Sequence, residues 1–387
     1  MSKFEYRKQP YLPVETTDFQ HLQEQKEGEL KAIFQMSDEK ALDILDRNRN
    51  WAEKLSQLLP SGSREMFQDL MRETNFKDSP RYQNLVERID WIRDNNRQES
   101  ERFKEKIKPL IDEEIITLYK QIVKDNDQET QQVQQKLDRV SIFTEDYYRF
   151  YALLASGIIK SEEVAGYFDS QNNVAVISLA DPTDKEIRRL INKYADEIKG
   201  ADHKELYYYS ILIHEILHAA SYRNYWWLVD KDKGQSDELT FQDMKPQKQR
   251  VGISVNRPPD LEGEIPSSGR LRWLNEGITE SLARKILPEV GKRFFAEDDV
   301  DPDIYGALDN YMAEVYEPEQ EVLEKLKVIV PEDVIYRAYF TRNGLLELNR
   351  DCNDKLGYTL AELEGLAYQD PEKNVWENLR GVLEGVE

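Results

Sequence analysis

The spacing of hydrophobic positions changes along the chain, and the changes divide it. From about residue 18 to 140, apolar residues recur three or four apart among many Glu, Lys, Gln and Arg, the period of helices with one buried face. Ser37 can cap a helix with apolar positions Ala41, Leu42, Leu45, Trp51, Leu55 and Leu58, ending at Pro60. Ser79-Pro80 opens another, with Tyr82, Leu85, Ile89 and Ile92 as its stripe. Between 98 and 135 the apolar positions thin to Phe103, Ile107, Leu110, Ile115, Leu118 and Ile122, which predicts a long, lightly packed helical hairpin. Residues 1–17, with Pro10 and Pro13, read as an extended arm.

Composition shifts near Ser141. Thr144 can cap a helix over 145–156 that Gly157 stops. Two apolar runs, 163–169 and 173–178, then flank the polar Ser170-Gln171-Asn172, the pattern of a β-hairpin. Thr183 with Glu186 makes a capping box for a helix ending at Gly200. Arg250–Val255 reads as a short strand, and the Pro- and Gly-rich stretch 256–269 as a loop. After residue 284 the helical period returns, with joints at Pro288, Pro302, Pro318 and Pro331. The fold class predicted is α+β and predominantly α-helical, with a small β-sheet. An acidic helical region, 1–140, precedes a second domain, 141–387.

One helix in that second domain stands apart. Tyr207–Tyr222 reads YYYSILIHEILHAASY and is apolar on nearly every side, so it belongs inside the protein. Its polar residues include His214, Glu215 and His218. Burying these without partners costs several kcal/mol, roughly 2–7 for each neutral polar group. Residues four apart share a helical face, so the two imidazoles can grip one Zn²⁺ with Glu215 beside its open position. Four histidines in the chain make a chance pairing around a Glu improbable. Further on, Arg272–Ala283 (RWLNEGITESLA) places Glu276 and Glu280 one helical turn apart. A hydrolytic zinc takes three protein ligands and keeps one position open; one carboxylate can complete the set while another orients a ligating imidazole. Gly277, in mid-helix, suggests close approach to a neighbour.

His214-Glu215-Ile216-Leu217-His218 followed by Leu274-Asn275-Glu276-Gly277 resembles the gluzincin metallopeptidases, a group that includes thermolysin-like, minigluzincin and aminopeptidase-type domains. The resemblance covers roughly 164–283 and implies a zincin-like domain with an active-site helix. It implies that His214, His218 and Glu276 hold zinc, that Glu215 is the general base, and that Glu280 supports a ligating His. It also implies an edge strand beside the active-site helix to receive extended peptide, which would fall on Asn173–Ser178. The interval from His218 to Glu276 is longer than in those relatives, so 223–270 reads as an insertion. The G-x-M-E-N signature of the aminopeptidases is absent, which favours endopeptidase activity. No His follows His218, so a tyrosine is the expected oxyanion donor, with Tyr316, Tyr336 or Tyr339 as the choices.

Charge bears on the partners. A net charge of −22 argues against nucleic acid and anionic membrane surfaces, leaving peptide or protein as the expected substrate. No apolar run reaches the roughly 18 residues of a membrane span. The first twenty residues lack an apolar leader, so the cytoplasm is the expected location. Cys352 is the single cysteine, which rules out an intramolecular disulfide. The expected activity is zinc-dependent peptide hydrolysis. The alternatives are a non-catalytic zinc-containing helical binding protein and a host-directed effector protease built on the same site.

Overall fold

The computed structural model describes residues 11–16, 80–124, 127–145, 147–148, 166–170, 173–178, 203–230, 244–256, 270–294 and 316–385. The helices expected over 37–60 and 183–200 lie outside these residues, as does Pro302. Within them the fold is α+β and predominantly helical, as the pattern predicts.

Strand β1 (Tyr11–Thr16) is followed by α1 (Pro80–Arg102), a π-helical turn (Phe103–Ile107), α2 (Lys108–Val123) and α3 (Asp127–Asp138). The segment expected to be lightly packed is core instead. Phe103, Ile107, Ile111, Ile115, Tyr119, Ile122, Val133 and Leu137 are all buried. The stripe recurs every four residues, slightly longer than the helical period. The π-helical turn absorbs part of that mismatch and keeps Phe103 and Ile107 on the buried side. A narrow stripe of large side chains suffices because the charged residues occupy the other faces.

Two small sheets follow. β2 (Ser141–Thr144), β3 (Gly166–Asp169) and β4 (Val174–Ile177) form a sheet ordered β2-β4-β3. β2 runs parallel to β4 and β3 antiparallel to it. The expected hairpin is present as β3–β4, turning at Asn173 with φ of 55°. β4 is nevertheless the central strand. Both of its edges are paired, so the expectation that Asn173–Ser178 is an edge strand is overturned; among the described strands β2 and β3 hold the outer positions. Short apolar strands look alike in sequence, and β2, which ends on Thr144, the residue expected to cap a helix, carries no turn signal that would reveal the third partner.

The metal-motif helix α4 (His203–Ala220) leads into β5 (Arg223–Asp230), β6 (Met244–Val251) and β7 (Ser254–Asn256). These join β1 in an antiparallel sheet ordered β1-β5-β6-β7. Arg250–Val255, expected as one short strand, instead spans the end of β6, a turn at Gly252-Ile253 and the start of β7. Helices α5 (Arg272–Phe294), α6 (Glu317–Ile329), α7 (Glu332–Phe340), α8 (Gly344–Leu356), α9 (Leu360–Ala367) and α10 (Val375–Leu383) complete the chain. Pro318 and Pro331 sit at helix starts as expected, but α5 continues through Pro288. Leu287, Val290 and Gly291 are buried around that proline, and their packing outweighs the cost of about 3 kcal/mol that it imposes.

α4 lies at the centre. Helices α2, α3 and α5 and strands β3 and β4 all pack on it, and its residues 212–220 are buried without exception. One hydrophobic cluster joins α2 and α3 to α4, α5 and α7. The core is therefore continuous across the boundary expected at residue 140.

Candidate metal centre

Helix α4 carries His214, Glu215 and His218 into the interior, where all three are buried. Helix α5 crosses it and supplies Glu276 and Glu280. Gly277 lets α6 come close to α5 on the other side: a methyl there would lie 3.0 Å from the Glu319 carbonyl oxygen. In its place the Gln320 amide donates to the Gly277 carbonyl at 2.7 Å.

Three donor atoms converge. Glu276 Oε2 lies 3.1 Å from His214 Nε2 and 3.3 Å from His218 Nε2, and the two Nε2 atoms are 3.1 Å apart. Ligand atoms held tetrahedrally at about 2.0–2.1 Å from a zinc-sized ion stand roughly 3.3–3.4 Å from one another, so the triangle has the required size. The chemistry of the set agrees. His214 Nδ1 faces Glu280 Oε2 at 3.1 Å, and a proton shared there leaves the Nε2 lone pair pointing inward. Two lone pairs and a carboxylate aimed at one point repel each other unless positive charge sits between them. His214, His218 and Glu276 could therefore hold a metal ion.

Ionisation follows the same geometry. Burial opposes a charged His214, but hydrogen bonds to Glu276 and Glu280 outweigh it and hold its pKa well above the usual histidine range. Burial also opposes ionisation of Glu276, yet the two imidazoles overcome it and push its pKa far below the carboxylate range. Glu215 behaves differently. Burial raises its pKa, and the imidazole charges offset only part of the rise. Among the described residues Glu215 makes no hydrogen bond or ion pair, although it is only 7% exposed.

The three candidate tyrosines separate cleanly. Tyr316, at the start of α6, stacks on the His214 ring with centroids 5.3 Å apart and planes 11° from parallel. Burial, with Glu276, Glu215 and Glu280 nearby, raises its pKa well above the phenol norm, so it stays an O–H donor. Tyr336 hydrogen-bonds Ser281 and Glu332 and touches none of the ligands. Tyr339 approaches His218 from the Nδ1 side, across the ring from the ligand cluster.

The surroundings of His218 Nδ1 escape a reading of spacing alone. Thr279 Oγ1, Tyr339 Oη and Asn275 Nδ2 each lie 3.5 Å away. Thr279 in turn donates to the Asn275 carbonyl at 2.8 Å. Thr279 stands one turn after Asn275, a signal available in the sequence, but Tyr339 comes from α7, 121 residues after His218. Among the described residues no helix is long and apolar enough to cross a membrane. No protein-family model, no curated protein and no solved structure matches the chain.

Proposed function

We propose that the chain is a zinc-dependent peptidase of gluzincin type, with His214, His218 and Glu276 as the metal ligands. The observation that carries the catalytic part of this reading is Glu215. A buried carboxylate beside the ligand cluster, with no hydrogen-bonding partner among the described residues, serves no evident structural purpose. A bound Zn²⁺ supplies Lewis-acid polarisation of a peptide carbonyl and a more acidic water. The chain supplies the proton traffic. The Glu215 carboxylate accepts a proton from water as the new C–O bond forms, and returns it to the amine as the C–N bond breaks. Its raised pKa suits both steps, because a stronger base accepts more readily near neutral pH. Glu280 holds His214 through Nδ1 and keeps Nε2 directed at the metal. Of the three tyrosines, Tyr316 is the one at the ligand cluster whose phenol can donate to a developing oxyanion.

A peptide substrate extended along the sheet would use β3, the one of the two outer strands that packs beside α4. Gly166 at its start lies so close to that helix that a methyl group there would stand 2.3 Å from Ile211 Cγ2, with Glu215 Cγ in ordinary contact at 3.5 Å. The strongly negative chain favours peptides over polyanions as substrates, and the absence of the amino-terminus-binding signature favours internal cleavage.

The test pairs metal analysis of purified protein with cleavage of a peptide library, with and without chelator. Zinc at one equivalent and chelator-sensitive cleavage are expected. Glu215→Gln should keep the zinc and lose at least about 100-fold in rate. Undiminished turnover in Glu215→Gln sinks the mechanism. Zinc binding with no cleavage of any peptide would favour the non-catalytic binding protein.

A further inference from the structure

The two histidines of the cluster are supported unequally. His214 leans on a carboxylate, Glu280, through Nδ1 at 3.1 Å. Among the described residues, His218 has no carboxylate on its Nδ1 side, only hydroxyl and amide groups, all at 3.5 Å. What fixes those groups lies outside both ligand helices. The β6–β7 hairpin turns at Gly252-Ile253, and Gly252 adopts φ of 60°, which glycine reaches without strain at the first turn position. The tip of the turn is wedged between Asn275 and Tyr339. A methyl group on Gly252 would stand 2.3 Å from Asn275 Oδ1 and 2.8 Å from the Tyr339 ring.

Hydrogen bonds tie the wedge in from every side. Ile253 N–H donates to Asn275 Oδ1 at 3.0 Å, which fixes the orientation of that amide and turns its Nδ2 toward His218. Gly252 N–H donates to the Tyr222 carbonyl at 2.8 Å, and Tyr222 N–H to the Tyr339 carbonyl at 3.0 Å. The Arg250 guanidinium donates to the carbonyls of Gly252, Ala338, Thr341 and Arg342 at 2.7–3.1 Å, which locks the hairpin to the end of α7, the helix that carries Tyr339. Thr279 Oγ1 stands 3.0 Å from the Tyr339 hydroxyl. When His218 presents its Nε2 lone pair to a metal, its proton is on Nδ1 and needs an acceptor. Asn275 Nδ2 is a donor and cannot serve. The acceptors are the oxygens of Tyr339 and Thr279.

We infer that the hairpin between the ligand helices is a positioning clamp for His218: the Gly252-Ile253 turn holds Asn275 and Tyr339, and the Tyr339 hydroxyl selects the His218 tautomer that binds metal. Metal affinity is then set partly by a β-turn that contributes no ligand. The inference rests on the metal-centre half of the proposed function and is independent of catalysis.

The experiment titrates Zn²⁺ into the full chain and into Tyr339→Phe and Gly252→Ala, with thermal melts of the metal-free proteins alongside. Tyr339→Phe removes one acceptor and no packing, and it should weaken zinc about 10-fold, at the low end for outer-sphere partners. The hydroxyl also hydrogen-bonds Thr279, so the metal-free melt should fall modestly, by the loss of one buried hydrogen bond, and stay cooperative. Gly252→Ala drives the turn against Asn275 and Tyr339 and should weaken zinc by about 10–100-fold. Because the chain has four histidines, the ring nitrogens of ¹⁵N-histidine-labelled, zinc-loaded protein can be resolved. In Tyr339→Phe the His218 Nδ1–H resonance should move and its exchange with water should quicken, while that of His214 stays. Unchanged zinc affinity in both variants overturns the clamp. So does weakened binding with an unmoved His218 resonance, because the effect would then come from general loosening. If the unaltered chain binds no zinc, the metal-centre reading itself fails, which is a separate outcome.

Discussion

At the scale of single residues, the site is set by two pairs of side chains, each pair one turn apart on its own helix. His214, Glu215 and His218 keep their relation whatever the fold, because the helix alone sets it. Glu276 and Glu280 are also one turn apart, but which carboxylate faces which ring atom depends on how α5 crosses α4. The resemblance implies Glu276 on the metal and Glu280 behind a ligating His; in the fold Oε2 of Glu276 lies beside both Nε2 atoms, and Oε2 of Glu280 beside Nδ1 of His214. Zinc titration of two variants distinguishes the roles. Glu276→Ala leaves two imidazoles and should lose most of the metal and essentially all activity. Glu280→Ala frees a ring nitrogen without opening the metal's coordination and should cost about 10–100-fold in affinity. A measurable rate should survive in it at saturating zinc. Loss of metal in Glu280→Ala with retention in Glu276→Ala would reverse the assignment. Among the tyrosines, sequence distance could not separate Tyr316 from Tyr336 and Tyr339, since only the packing of α6 and α7 decides which ring meets which histidine.

At the scale of elements, strands were recognisable as strands, but their order was not. The apolar runs of β3 and β4 and the turn between them were plain, yet β2 pairs with β4 in parallel from 33 residues upstream and makes the expected edge strand a central one. The joints between elements hold similar surprises. Lys136, on α3, reaches the C-terminal end of α4 and donates to the Ser221 carbonyl at 3.1 Å, a favourable place for a cation near the negative end of a helix. Burial, with the Arg223 charge nearby, pulls its pKa down to about 7. An unfolded chain holds the lysine proton up to about pH 10.4, so between about 7 and 10 the unfolded state binds more protons than the folded one. Stability then rises with pH across that window, and the charging cost is borne in full below it. Lys136→Met removes the titration. The melting temperature of the unaltered chain relative to the variant should climb between pH 7 and 9 and stay flat from 5 to 6. A difference that is independent of pH would mean that Lys136 keeps an ordinary pKa.

At the scale of the whole molecule, the charged composition of residues 1–140 suggested a separable region, and the packing argues for one body. Charge density reports how much of a helix faces solvent, not whether its remaining stripe is buried against a distant partner. Here that stripe, Ile107, Ile111, Ile115 and Tyr119, is buried to 2% exposure or less and belongs to the same cluster as Leu212, Ile216 and Leu282. The N-terminal segment is tied in a second time, since β1 pairs with β5 along six residues. A chain beginning at Ser141 would therefore bare the face of α4 that α2 and α3 cover, at about 1.5–3 kcal/mol for each large side chain left without its partner. Set against a total stability of about 5–15 kcal/mol, loss of that many contacts exceeds what the remainder can supply. The truncated chain should aggregate, or melt without a cooperative transition while binding a hydrophobic dye, and its zinc affinity should fall along with its fold. Calorimetry and zinc titration on the two lengths of chain measure both effects. A cooperative melt with unaltered zinc affinity in the shorter chain would establish 141–387 as an independent domain and reduce α1–α3 to a docked appendage.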